Sequence, residues 1–109
     1  MNDSNGNYFV TDRELKYVLL RIKCYVQEIK GYLKTYKKLA ITIKNPEGAA
    51  KCLDEAIKIY KHIGSSRNLK NLKLTPQGTR DLMKAINKRE SEALKLFAKY
   101  GIGTSLVVR

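Results

Sequence analysis

Few residues in this 109-residue chain are of a type that does chemistry, and their spacing limits what each can do. Cys24 and Cys52 lie far apart with no Cys-x-x-Cys pair, and His62 is the only imidazole. A zinc centre takes about four N or S ligands, usually in closely spaced pairs, so neither a metal nor another cofactor is expected. Two cysteines do not make a disulfide framework for a chain this long. They read as free thiols of a reducing cytoplasm, the alternative being one bridge between two helices whose faces meet. No serine or cysteine has an evident base beside it, and no carboxylate pair marks a concave site. His62 is accounted for as a cation in the last turn of a helix. Gly101-Ile102-Gly103 is too short for a phosphate loop unless a helix follows. Catalysis is therefore not expected.

The lysines are different. Lys16, Lys23, Lys30, Lys37 and Lys44 recur every seventh residue, and Lys34 and Lys38 thicken the line towards its end. On a helix that repeat is about 10.5 Å, or roughly three nucleotides of one strand. Ammonium groups so spaced can track phosphates and displace counterions without reading sequence. The bland alternative is that lysines at the edge of an apolar stripe snorkel, laying their methylenes over it. Snorkelling explains position but not the shortage of acids: 22 Lys plus Arg stand against 10 Asp plus Glu, a net charge of +12. Residues 12–44 hold nine basic groups against three acidic, 45–64 are balanced, 65–75 hold three basic groups and no acid, and 76–100 hold six against three. In the acid-free stretch Arg67, Lys70 and Lys73 could add contacts, with Asn68 and Asn71 able to bond bases or sugars. No DNA-reading motif accompanies the charge. The turn glycine of a helix-turn-helix wants a small residue one turn earlier and an apolar one in the next helix. Around Gly64 those positions hold Tyr60 and Lys70; around Gly78 they hold Leu74 and Lys84.

The element that must carry the lysine line is long. Thr11-Asp12-Arg13-Glu14 is a capping box, with Val10 and Leu15 as its hydrophobic staple, so a helix starts at Asp12 and residues 1–10 form a flexible tail. Written as a heptad, positions a and d are Leu15, Val18, Ile22, Tyr25, Ile29, Tyr32, Tyr36, Leu39 and Ile43; position e adds Leu19, Val26, Leu33 and Ala40. Three apolar residues per heptad make a stripe too wide for a two-stranded coiled coil and suited to a bundle core. Tyr17, Leu20 and Ile41 fall off the stripe, as scattered exposed residues or as a face for a second copy. Gly31 also lies off it and marks a weak point or bend. The helix stops near Lys44, because Asn45 precedes Pro46.

Asn45 as N-cap and Pro46 as first residue open a second helix over 46–63, with Ala49, Ala50, Leu53, Ala56, Ile57, Tyr60 and Ile63 on its inner face. Glu47/Lys51 and Asp54/Lys58 have favourable i,i+4 spacing, and Gly64 suits a left-handed C′ residue. Thr75-Pro76, with Thr79 as rival cap, opens a third helix over 76–100 that turns Leu82, Met83, Ile86, Ala93, Leu94, Phe97 and Tyr100 inward. Its middle, Asn87 to Glu92, is polar throughout, either a solvated waist or a break. Tyr100-Gly101-Ile102 has the form of a Schellman ending. Residues 65–75 are ambiguous, and 102–109 read as a tail or short β-strand.

The expectation is an all-α chain: a small, mainly antiparallel three-helix bundle with one long N-terminal helix and a possible C-terminal strand. No apolar run approaches the about 18–20 residues of a membrane span, and the polar, acidic opening MNDSNGNYFV is unlike a secretory leader. The expected role is non-enzymatic, sequence-tolerant binding of DNA or RNA through backbone and shape. The alternative is an inhibitor or adaptor that docks its basic face on an acidic protein. A homodimer is compatible with either. The Lys-, Ile-, Asn- and Tyr-rich composition suits an AT-rich genome, as of a phage or plasmid.

Overall fold

The computed structural model describes residues 12–71 and 74–107, and it is helical throughout its ordered elements. Helix α1 spans Asp12–Lys37 and widens into a π-helical turn over Lys38–Thr42. Helix α2 spans Pro46–Ser65 and tightens into a 3₁₀ segment over Ser66–Asn71. Helix α3 spans Pro76–Lys99, and a single turn, α4, occupies Thr104–Val107. The expected tail, Thr11 of the capping box and Lys73 lie outside the described residues.

The helix starts follow local chemistry. The Asn45 side chain accepts from the Gly48 amide at 3.0 Å, and the Thr75 hydroxyl accepts from the Gly78 amide at 3.0 Å, each with proline at the first helical position. Thr75, not Thr79, is thus the cap of α3. At its other end the Ile102 amide bonds the Phe97 carbonyl and the Gly101 amide bonds that of Ala98, both at 3.0 Å, with Gly101 at φ 78°. That is the Schellman ending, and it turns Ile102 into the core.

Two boundaries differ from expectation. Gly64 is not a left-handed stop: α2 runs on to Ser65 and then tightens. The reversal after α1 is made instead by the π turn, closed by a bond from the Ile43 amide to the Lys38 carbonyl at 3.0 Å, and by Lys44 at φ 58°. A π turn shifts the side-chain register. Ile43 and Ala40, inward on the heptad, are therefore exposed. At the C-terminus, Thr104–Val107 form helix where a strand was one expectation, and there is no strand among the described residues.

Helix α1 is the spine. Leu39 packs beside Gly48, and Tyr25 lies 6.2 Å from His62 between ring centroids, so α2 runs antiparallel to α1. Leu15 packs beside Gly78, whereas Tyr36 and Lys37 stand by Lys99 and Tyr100, so α3 returns parallel to α1. A Cβ at Gly78 would lie 3.4 Å from Leu15, an ordinary packing distance, so the first turn of α3 rests against the start of α1. The core joins Ile22, Val26, Ile29 and Leu33 of α1 to Ala56, Ile59 and Ile63 of α2 and Leu82, Ile86, Ala93 and Phe97 of α3. Ile59 was not on the expected face of α2, whereas Ala50, which was, is exposed. Tyr25 and Tyr36 are half-buried, while Tyr32 is exposed. No helix among the described residues is long and apolar enough to cross a membrane.

Candidate nucleic-acid interface

The heptad that buries Leu15, Ile22 and Ile29 also fixes where its lysines point. Lys16, Lys23, Lys30 and Lys37 all stand exposed on one continuous helix, about 10.5 Å apart along its axis. Lys34 and Lys38 are exposed beside them; Lys38 lies on the π turn. Lys44, the fifth of the series, is exposed but has left the helix for the turn before α2. Among the described residues none of these seven ammonium groups is paired with a carboxylate. Gly31 does not interrupt the line, since α1 continues through it.

The connector behaves otherwise. Arg67 is engaged inside the fold: its Nη1 donates to Glu90 Oε2 at 2.8 Å, its Nη2 donates to Glu90 Oε1, and Nη2 also donates to Asn87 Oδ1 at 2.9 Å. The two-point hydrogen bond to Glu90 holds the guanidinium pKa above its ordinary value. Arg67 is thus a structural cation. It docks on the polar middle of α3, which is a solvated waist and not a break: the helix is continuous there, with Asn87, Lys88 and Ser91 exposed and Arg89, Glu90 and Glu92 half-buried. Arg89 and Glu92 continue that polar stretch as an i,i+3 pair at 2.9 Å. Lys70 lies on the 3₁₀ segment, as does Asn71, and Asn68 is exposed. On α2, Lys58 pairs with Glu55 at 3.3 Å instead of Asp54.

Where α1 and α3 end side by side, a groove of about 410 Å³ opens between them, lined by Tyr36, Lys37, Ala40, Ile41, Lys99 and Tyr100. It lies at the C-terminal end of the lysine line, and Lys37 belongs to both. Both tyrosines pack against the core and are half-buried, as the stripe of α1 and the inner face of α3 imply, and both also line this groove. The pairing was invisible in the sequence because residues 36 and 100 meet only through the parallel return of α3. A second apolar surface, Tyr17, Leu20 and Cys24 beside Arg21, lies on the outer face of α1.

Both thiols are free, Cys24 exposed and Cys52 half-buried. No group of three or more His, Cys, Asp or Glu among the described residues could hold a metal ion. Compared with protein-family models, curated proteins and solved structures, the chain matches none.

Proposed function

We propose that this protein binds nucleic acid through its phosphate backbone, with α1 as the contact element. The observation that carries the reading is the row Lys16, Lys23, Lys30 and Lys37, exposed, unpaired among the described residues and held at a fixed repeat by one continuous helix. The continuous helix fixes the repeat of the row, and the flexible lysine stems let each ammonium reach its phosphate. Lys34, Lys38 and Lys44 extend the positive field, and the excess of +12 steers polyanions towards it. Recognition of this kind depends on charge and shape and tolerates any base sequence.

Affinity measured against salt tests it. With duplex DNA, log K falls linearly with log salt at a slope of about −0.9 per phosphate neutralised. Charge reversal at Lys16, Lys23 and Lys30 flattens that slope while the circular dichroism of the fold is unchanged. Micromolar protein that shifts neither duplex DNA, single strands nor RNA at low salt overturns the reading. The exposed Tyr17 and Leu20 favour one other reading, an interaction module with an acidic protein partner. Capture of one such protein, insensitive to nuclease, is its signature.

A further inference from the structure

We infer that the groove between the ends of α1 and α3 takes one unpaired nucleotide, so that the protein prefers single strands to duplex. The inference rests on the nucleic-acid reading above and adds a second element to it. Its basis is the chemistry of the lining. Tyr36 and Tyr100 bring two phenol rings to one opening, and neither ring is paired with another aromatic ring among the described residues. Neither hydroxyl has a hydrogen-bond partner there either, so each can donate to a base edge or sugar. Lys37 and Lys99 line the groove as well, one from each helix, so each side carries a cationic side chain. Ile41, 64% exposed, supplies an apolar rim.

Aromatic faces with flanking cations are what an unstacked base and its phosphate require, and every base has a face to stack. A duplex cannot use such a groove without extruding a base. Continuity with the lysine line gives the strand its path: a backbone tracked by Lys23 and Lys30 arrives at Lys37, on the groove's own wall. Lys99 also sits in the last turn of α3, where it offsets the carbonyl end that would otherwise repel a phosphate. Ala40 and Ile41, both exposed on the π turn, form the α1 side of the opening.

The test uses the full chain and three probes: an oligothymidylate, a duplex of equal length, and inorganic polyphosphate, which has charge but no bases. The expected result is tighter binding to the single strand than to the duplex. Tyr100→Leu and Ala40→Leu should each weaken the single strand by roughly 5- to 160-fold, the range for one stacked base, and leave duplex and polyphosphate unchanged. Ala40 is exposed, so its variant fills the groove without touching the core and guards against misfolding in Tyr100→Leu. Equal affinity for single strand and duplex, indifferent to both variants, overturns the groove and leaves the lysine row standing. Failure of all three probes at low salt overturns both.

Discussion

Arg67 and Glu90, from the 3₁₀ connector and the middle of α3, meet as a two-point ion pair across 23 positions of sequence. Their side chains are 33% and 18% exposed, which sets the pair between a surface bridge and a buried one. Arg67→Ala leaves a mostly buried carboxylate without its counter-charge. The expected loss is about 1–2 kcal/mol, seen as a lower urea midpoint at unchanged slope. A double-mutant cycle with Glu90→Ala should return a clear coupling energy; strictly additive effects would show that the pair contributes nothing.

Tyr60 lies beside that pair and stacks edge-on against Phe97, ring centroids 6.3 Å apart at 88°. Burial pushes its phenol pKa above the ordinary value, the Glu90 charge adds to the rise, and Arg67 opposes it. The fold therefore favours the protonated phenol. Its contribution is complete below the unfolded value of about 10 and is lost as pH rises through the higher folded value. Stability should fall above about pH 10, and Tyr60→Phe should remove part of that fall. Denaturation midpoints across the alkaline range measure both.

Two glycines should respond in opposite ways to alanine. Gly31 is exposed inside α1, and a Cβ placed on it would meet no neighbouring atom within 4 Å, so Gly31→Ala should stabilise by up to about 1 kcal/mol. Gly101 holds φ 78° at the end of α3, where a side chain is strained, so Gly101→Ala should cost about 1–2 kcal/mol. Thermal melts resolve these, at about 4–8 °C per kcal/mol for a domain of this size.

The thiols should separate by accessibility. An aromatic disulfide reagent added to native protein should titrate Cys24 at once and Cys52 only slowly, with both reacting in denaturant. Equal native rates would contradict the half-burial of Cys52.

The sequence showed most of this fold where short-range chemistry decides it. Asn45, Thr75 and Gly101 act on amides within one turn, so their roles are visible from three or four neighbouring residues. The buried stripe Leu15, Ile22, Val26, Ile29 and Leu33 is equally legible, because a regular helix keeps its period. Legibility failed where the period broke or a distant partner intervened. The π turn rotated Ile43 outwards, and Gly64 was held helical within a run on to Ser65. Arg67 looked like a free cation because nothing near it in sequence is acidic, and Glu90 reaches it only through tertiary packing. The lysine row was legible as a row, but the groove at its end was not.

The spine arrangement also has a kinetic consequence. Contacts between α1 and α2 close across the three-residue joint Ile43-Lys44-Asn45, whereas α3 reaches α1 only after the chain has gone out along α2 and come back. Loops that short cost little entropy to close, so the α1–α2 hairpin should form first and α3 should dock on it late. The Arg67–Glu90 clasp then belongs to the final closing step. Breaking it should hasten unfolding while leaving the folding rate nearly untouched.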